Sequence, residues 1–389
     1  MAAVHGKCDP KFHEVRSLFE EAVASGSEVG ASFAVNIDGE DVIDLWGGFV
    51  DQERTKPWNE DTIVNVWSST KCLASLVVLK LVDQGIVDVD EKVSKYWPEF
   101  AANGKQDILV RHLLSHASGL SGWEKPVTAE DICDLEKAAG LLAEQAPWWE
   151  PGTATGYHSI SFGHLLGMLV RKATGGKKTL KQIAAEEIAT PLDADFQVGA
   201  LEKDWPRVSP IYAPADFGEM AAPPPGSLTA KTFQNPLMTG DIANTEMWRR
   251  AEVGGANGHT NARGMNRIFS AITLGGTTRG VKILKPETVE LIFKEQLRGD
   301  DLVIGRPNRF GIGYGLRGDG EGDEILSAVD PLVPKGKICF WGGWGGSIII
   351  MDLTRKVTIT YAMNQMYNGL MGNKNSVEYL KAVYKALEA

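Results

Sequence analysis

Strand patterns at both ends of the chain enclose a long middle section that has few of them. Near the N-terminus, residues 31–37 and 42–46 flank the turn Asp38-Gly39-Glu40, which is typical of an antiparallel hairpin. Four more strand patterns lie near the C-terminus, at residues 310–316, 337–341, 346–352 and 356–363. The simplest architecture joins both ends in one antiparallel sheet packed with helices, so we predict an α/β (α+β) fold.

Three helical patterns accompany these strands. Residues 10–25 and 375–387 have apolar side chains at the spacing of amphipathic helices. Residues 68–85 are apolar on most sides, which indicates a buried helix that ends at Gly85. We therefore predict a sheet domain of residues 1–89 and 236–389, a mainly helical domain of residues 90–235, and a site in the cleft between them.

Composition limits the classes of function. With 389 residues, 43% of them hydrophobic, the chain can build a large core. The net charge of −10 argues against nucleic acid or an anionic membrane as the main partner. No segment approaches 18 uninterrupted apolar residues, so no membrane span is predicted. The expected partner is a small molecule, and the oligomeric state stays open.

The cysteines and the N-terminus indicate a compartment. Cys8, Cys72, Cys133 and Cys339 are scattered, without the spacing of a metal site or of a CxxC pair. The first ten residues contain no apolar stretch typical of a signal peptide. We expect reduced thiols, a cytoplasmic protein, and neither a metal nor another cofactor.

The first chemical motif is Ser68-Ser69-Thr70-Lys71, at the start of the buried helix. Residues three apart share one helix face, so Lys71 can contact Ser68. A partly desolvated lysine has a lowered pKa and can accept the proton of a serine hydroxyl. This is the sole SxxK string in the chain, although such a string is expected about once by chance. An N-cap serine with a solvated lysine is the alternative.

Two further segments could complete a site. The turn at Pro151-Gly152 leads to Tyr157, which we expect to be exposed and able to serve as a general base. The run from Trp341 to Ser347 is rich in glycine and lies between two strands. Backbone N–H groups in such a run can form an oxyanion hole together with the N–H of the nucleophile. Each segment alone is weak support, since most tyrosines and glycine turns are structural.

Other catalytic motifs have no candidate here. The chain has no GxSxG nucleophile elbow, no HExxH metal motif and no Walker sequence. The glycines near residues 311–315 and 342–346 lack the helix and acidic residue of a dinucleotide site.

Taken together, five ordered blocks resemble the serine β-lactamase and penicillin-binding protein superfamily, and specifically the class C-like family VIII carboxylesterases. The blocks span nearly the whole chain: Val66–Lys71, Arg111–Leu120, Trp149–Ser159, Gly255–Arg263 and Trp341–Gly343. The resemblance implies that superfamily's fold, an antiparallel sheet flanked by helices with an inserted helical domain. It also implies that Ser68 is the acylated nucleophile and that Lys71 and Tyr157 form its general base pair. The backbone N–H groups of Ser68 and Trp344 would then be the oxyanion hole.

The sequence departs from the lactamase pattern at two polar anchors. Trp341 stands where lactamases have the lysine that recognises a carboxylate, and Ser159 replaces the asparagine of Tyr-x-Asn. A tryptophan forms an apolar wall, which favours a small ester or lactone over a charged β-lactam. Six residues are expected to line the substrate pocket: Trp123, His158, Ser159, Trp341, Gly342 and Gly343. The loops at residues 213–235 and 317–334 are expected to shape the pocket.

The function that follows is a serine carboxylesterase that works through an acyl-enzyme. Two close alternatives share its motifs: an acyltransferase that uses an alcohol in place of water, and a β-lactamase or D-alanyl peptidase. A catalytically silent scaffold protein is a further alternative, against which the intact Ser68, Lys71 and Tyr157 argue.

Overall fold

A computed structural model describes residues 3–214, 222–320 and 327–388. Parts of both predicted pocket loops, residues 215–221 and 321–326, therefore lie outside the described residues. The strands within the described ranges are β1 (Val4–Cys8), β2 (Gly30–Ile37), β3 (Glu40–Gly48), β4 (Ile63–Asn65), β5 (Phe196–Val198), β6 (Val208–Ser209), β7 (Gly258–Thr260), β8 (Thr277–Thr278), β9 (Val281–Lys282), β10 (Leu297–Asp300), β11 (Pro307–Phe310), β12 (Gly315–Leu316), β13 (Ile338–Gly342), β14 (Ile348–Asp352) and β15 (Val357–Met363).

The α-helices are concentrated in the middle of the chain. They are α1 (His13–Ser25), α2 (Thr70–Asp83), α3 (Val93–Tyr96), α4 (Val110–Leu114), α5 (Ala129–Cys133), α6 (Leu135–Glu144), α7 (Ser161–Ala173), α8 (Leu180–Ile183), α9 (Leu228–Phe233), α10 (Glu246–Arg250), α11 (Ala262–Thr273), α12 (Pro286–Ile292) and α13 (Lys374–Glu388). None of the helices in the described ranges is both long and apolar enough to cross a membrane.

The two ends of the chain share one sheet, as predicted. Nine strands pair in the order β1-β3-β2-β15-β14-β13-β12-β11-β10, and each neighbouring pair is antiparallel. The strand β2 from the N-terminal part pairs with β15 from the C-terminal part over seven residue pairs, from Val357↔Ile37 to Met363↔Ala31. The ends of the chain are therefore joined by a continuous ladder of backbone hydrogen bonds.

Helices cover both faces of this sheet. Phe33 on β2 contacts Tyr379 on α13, whereas its neighbour Ser32 accepts a hydrogen bond from the N–H of Ala262 on α11. Because adjacent residues of a strand point to opposite faces, α13 and α11 lie on opposite faces of the sheet. The helix α1 packs against α13. This two-sided cover explains why β14 and β15 are buried at every position instead of alternating.

A second, smaller sheet connects the middle of the chain to the rest. Its order is β5-β7-β4-β6, and β4 leads directly into α2. The strands β5 and β6 come from the predicted helical segment, and β4 and β7 come from outside it. The sequence patterns did not predict this sheet, because its strands are only two or three residues long. The domain limits at residues 90 and 235 stay a prediction.

The buried helix α2 is shorter than predicted. It was expected from Ser68 and begins at Thr70, although it ends at Asp83 just before Gly85 as expected. Eleven of its 14 residues are buried, and it packs against α7. The helix is thus fixed from all sides, and whatever stands at its first turn is held rigidly.

One carboxyl group is buried where α1 meets the sheet. Glu28 is 1% exposed and accepts a hydrogen bond from the hydroxyl of Tyr361, while its second carboxyl oxygen has no partner within the described ranges. Burial raises the pKa of Glu28 from 4.5 to about 7. The carboxyl group is therefore protonated in the folded protein at pH values where it is ionised in the unfolded chain.

This pKa shift predicts a pH-dependent loss of stability. Between pH 4.5 and 7 only the folded state binds the Glu28 proton, so the free energy of unfolding falls by about 3 kcal/mol as the pH rises. The variant Glu28→Gln has no such proton. Its stability relative to wild type, from denaturant unfolding, is expected to rise by about that amount across this range. The exposed Glu21→Gln on α1 is the control, and equal pH profiles for all three proteins would contradict the prediction.

Candidate active site

Ser68 lies in the turn between β4 and α2. The preceding residue, Trp67, has a φ of 47°, a left-handed conformation that is unfavourable for a bulky side chain. Tight hydrogen bonds follow, from the N–H of Thr70 to the carbonyl of Trp67 (2.9 Å) and from the N–H of Lys71 to the carbonyl of Ser68 (3.0 Å). Ser68 therefore precedes the α-helix instead of capping it. The residue is buried, with 7% of its surface exposed.

Lys71 contacts Ser68 as the SxxK spacing predicts. Its Nζ lies 3.0 Å from Ser68 Oγ, 2.6 Å from the carbonyl oxygen of Ser159 and 2.8 Å from the carbonyl oxygen of Gly255. The residue is buried, and each of these three contacts is to a neutral oxygen. The alternative of a solvated lysine is therefore wrong for Lys71. Burial lowers its pKa well below the ordinary value of 10.5.

Tyr157 completes the cluster from the other side of Ser68. Its hydroxyl lies 2.7 Å from Ser68 Oγ, and its ring lies 5.0 Å from Lys71 Nζ. The expectation of an exposed tyrosine is wrong, because the residue is 6% exposed and packs against Trp341 and Phe233. Burial raises the pKa of the phenol, although hydrogen bonds with Ser68 and Trp341 oppose the shift. The neutral phenol is thus the favoured form at neutral pH.

The lowered pKa of Lys71 favours an uncharged amine, and the contacts of its Nζ atom can accommodate one. A neutral amine has two N–H donors and one lone pair. The two donors fit the carbonyls of Ser159 and Gly255, and the lone pair then faces the hydroxyl of Ser68. Ser68 can donate to Lys71 while it accepts from Tyr157. This arrangement satisfies every proton with no charge in the cluster, which agrees with the directions of both pKa shifts.

The predicted oxyanion donors lie on two adjoining turns. Trp344 is in the turn between β13 and β14, and its ring contacts that of Trp67 at 4.9 Å. Ser347 ties the same turn to the residues before Ser68, because its hydroxyl donates to the carbonyl of Val66 (2.8 Å) and lies 2.9 Å from Ser69 Oγ. The two turns therefore form one unit.

Gly343 lies where these turns approach most closely. A Cβ atom there would be 2.2 Å from the carbonyl oxygen of Val66 and 2.2 Å from Ser347 Oγ. Gly342 is the last residue of β13 and packs against the backbone at Leu370. A Cβ atom on Gly342 would be 2.4 Å from the carbonyl oxygen of Leu370. The glycines of this run therefore allow backbone segments to pack closely beside Ser68.

Trp341 and Ser159 both lie beside the cluster. The indole of Trp341 stacks on His116 with centroids 5.2 Å apart, and it lies 6.1 Å from the ring of Tyr157. Ser159 is half-buried, and its carbonyl is the group that contacts Lys71. Both residues therefore lie next to a residue that contacts Ser68 Oγ.

The structure corrects the prediction that Trp123 and His158 line the pocket. Trp123 is 3% exposed, its indole N–H donates to the carbonyl of Ala138 on α6, and its ring contacts His164 on α7. His158 is fully buried, with its ring nitrogens bonded to Ser118 and to the carbonyl of Gly156. Both rings already have core partners, so they support the helical part instead of meeting a substrate.

The sequence patterns did not identify two residues that position Tyr157. The carboxylate of Asp301 accepts from the N–H of Tyr157 (3.0 Å), and the Nδ1 atom of His116 accepts from the N–H of His158 (3.0 Å). His116 belongs to the block at residues 111–120, but the sequence pattern assigns it no role of its own. Asp301 carries no local signal, because its partner is 144 residues away.

The described residues contain no group of three or more metal-binding side chains that could hold an ion. The chemistry of this site is that of a buried hydroxyl between an amine and a phenol.

The comparisons with known proteins identify the family. The Beta-lactamase family model matches residues 15–383. This chain belongs to the Beta-lactamase family. Its similarity to the Esterase/beta-lactamase LipL of Mycobacterium tuberculosis is 31% identity over 335 residues, which cover 80% of this chain and 74% of that protein.

Two other proteins of the family are informative. The crystal structure of a family VIII carboxylesterase is 37% identical, with a TM-score of 0.90, and the match covers 99% of this chain and 100% of that one. Acyltransferase calJ of Penicillium decumbens is 26% identical over 352 residues, covering 78% of this chain and 75% of that protein. The predicted superfamily and its fold are confirmed.

The close approach at Gly343 predicts the effect of adding one methyl group. The variant Gly343→Ala must separate the two turns, because its Cβ would lie 2.2 Å from two oxygen atoms. We expect a lower melting temperature and at least a tenfold slower labelling of Ser68 by a fluorophosphonate probe. The control is Gly140→Ala in α6, where the added methyl meets nothing within 4 Å. That control should label normally, and normal labelling of Gly343→Ala would refute the structural reason.

Proposed function

We propose that this protein is a serine carboxylesterase that cleaves small esters or lactones through an acyl-enzyme on Ser68. The observation that carries the proposal is the placement of Ser68 Oγ 3.0 Å from Lys71 Nζ and 2.7 Å from the hydroxyl of Tyr157. A serine hydroxyl becomes an effective nucleophile when an adjacent base removes its proton. As a member of its family with this serine intact, the chain is a serine ester hydrolase.

The first half of the reaction acylates the enzyme. The uncharged amine of Lys71 takes the proton of Ser68 as Oγ attacks the ester carbonyl carbon. The backbone N–H groups of Ser68 and Trp344 stabilise the resulting oxyanion. When the tetrahedral intermediate collapses, Tyr157 gives its proton to the leaving alcohol and recovers one from Lys71. Lys71 and Tyr157 are then back in their starting protonation states, and the proton that Ser68 lost has left with the alcohol.

The second half reverses these roles. A water molecule loses a proton to the Lys71 and Tyr157 pair and attacks the acyl carbon, and the proton returns to Ser68 Oγ as the acid leaves. Because Lys71 and Tyr157 both contact Ser68 Oγ and share one proton in the proposed mechanism, their titrations are coupled and belong to the pair.

The character of the site favours uncharged substrates. Within the described ranges, the polar side chains that contact Ser68 are those of Lys71 and Tyr157, and both are buried. Trp341 and Trp344 add aromatic surface beside them. A carboxylate on the substrate would have to be desolvated there, which is unfavourable without a paired cation. Short-chain or aromatic esters and lactones fit this environment.

Compartment is a further part of the proposal. The four cysteines are all unpaired, and Cys72 and Cys339 are buried. Unpaired thiols suit a reducing compartment, so we propose that the enzyme works in the cytoplasm on a small-molecule ester.

Acyl transfer to an alcohol is a second candidate function. The acyl-enzyme is common to both reactions, and a relative of this chain is named an acyltransferase. The two are separated by product analysis with p-nitrophenyl acetate in the presence of millimolar benzyl alcohol. We expect acetate as the main product, because water is in great excess. If benzyl acetate is the main product, the enzyme is an acyltransferase instead of a hydrolase. If nitrocefin is turned over faster than the ester, a β-lactamase is favoured.

The proposed roles predict the effects of three substitutions. Ser68→Ala removes the nucleophile, Lys71→Ala removes the amine, and Tyr157→Phe removes the hydroxyl that contacts Ser68. Each is expected to lower kcat for p-nitrophenyl acetate by roughly 10³-fold or more, since residues that act as one unit have non-additive effects. The measurement is steady-state kinetics together with fluorophosphonate labelling of Ser68.

A distant tyrosine provides the control for these variants. Tyr384 on α13 is also buried, and its hydroxyl lies near Asp352 instead of Ser68. Tyr384→Phe should therefore keep wild-type turnover. If Tyr157→Phe behaves like Tyr384→Phe, then Tyr157 is not part of the base. If Ser68→Ala keeps full turnover, the enzyme uses another nucleophile.

A further inference from the structure

Trp67 is the residue next to the nucleophile, and its conformation is unusual. At φ = 47° its backbone is in a region that glycine adopts readily and bulky residues rarely do. A tryptophan in such a position needs compensation from its side chain. That side chain is almost fully buried, at 2% exposure, between Trp248 (5.9 Å) and Trp344 (4.9 Å).

The turn that carries Trp344 is tied by backbone hydrogen bonds on both sides. The turn is tied on one side by the N–H of Gly343, which donates to the carbonyl of Ser347 (2.8 Å). It is tied on the other side by the N–H of Gly345, which donates to the carbonyl of Gly369 (3.0 Å). Gly345 and Gly346 have φ values of 92° and 129°, a backbone region that glycine adopts without strain.

The ring of Trp67 thus connects both predicted oxyanion donors. Its backbone directly precedes the N–H of Ser68, and its indole packs against the residue that carries the other N–H. We propose that Trp67 is a positioning residue: its stacking on Trp344, together with the contacts of Ser347, sets the relative placement of the two oxyanion-hole N–H groups. This inference rests on the proposed function, since it assumes the oxyanion hole at Ser68 and Trp344.

The test separates the ring of Trp67 from its backbone. Trp67→Gly keeps the left-handed conformation without strain and removes the ring. Trp344→Ala removes the other ring but keeps the backbone N–H of that residue. Because Trp344 is only half-buried, this variant can carry the test if Trp67→Gly does not fold. Trp67→Phe retains an aromatic ring and should recover most of the loss. The control, Trp58→Ala, removes an equally buried tryptophan (2% exposed) that packs near Gly30.

The readout compares p-nitrophenyl acetate with its thionoester, in which sulfur replaces the carbonyl oxygen. Hydrogen-bond donors placed for an oxyanion stabilise the larger sulfur anion poorly, so an ordered oxyanion hole gives a high ratio of oxoester to thionoester kcat. We expect Trp67→Gly and Trp344→Ala to lower kcat for the oxoester roughly tenfold or more, with little change in KM. The oxoester to thionoester ratio should fall at least fivefold in both variants, a reduction consistent with a disordered hole.

Two results would overturn the inference. One is an unchanged kcat ratio in both variants, because general damage to the fold slows both esters equally. The other is the same fall of the ratio in Trp58→Ala. The proposed function fails separately: it is wrong if wild-type protein is not acylated at Ser68. If wild type is acylated and the ratio does not respond to Trp67 or Trp344, only the role of Trp67 is wrong.

Discussion

A buried lysine amine that has no carboxylate partner among the residues that the structure describes is the constraint on which this site depends. A charged ammonium in such a place would lose its hydration and gain only neutral partners, which is strongly unfavourable. We therefore infer that Lys71 is an uncharged amine, with its donors on two carbonyls and its lone pair toward Ser68. The same burial that costs stability makes Lys71 a base at neutral pH.

The two carbonyls that hold Lys71 come from distant parts of the chain. Ser159 lies just before α7, and Gly255 follows α10. They meet because α7 packs closely on the second segment, where a Cβ atom on Gly163 would be 2.0 Å from the N atom of Gly255. The small sheet then connects this region to β4, which leads into Ser68. Most of the fold between residues 63 and 260 is thus needed to place three side chains.

The sequence predicted what depends on short spacing. Ser68 and Lys71 are three residues apart, and the strands 30–37 and 357–363 had clear apolar patterns. It did not predict the left-handed turn at Trp67, since no local rule places a tryptophan there. Nor did it predict the burial of Tyr157, which depends on Asp301 and Trp341 from the far end of the chain. The prediction that Trp123 lines the pocket was wrong, because the sequence alone does not distinguish a tryptophan in the core from one in a pocket wall.

The charge of Lys71 is the central claim, and it can be measured directly. In protein labelled with ¹³C at the lysine Cε, the Lys71 resonance can be assigned by its loss in Lys71→Arg and followed from pH 5 to pH 10 by NMR. We predict a Lys71 shift at pH 7 that is typical of a neutral amine, and a midpoint well below 10.5. A resonance that stays at the ammonium position up to pH 10 would contradict this account, because Lys71 could not then accept the proton of Ser68.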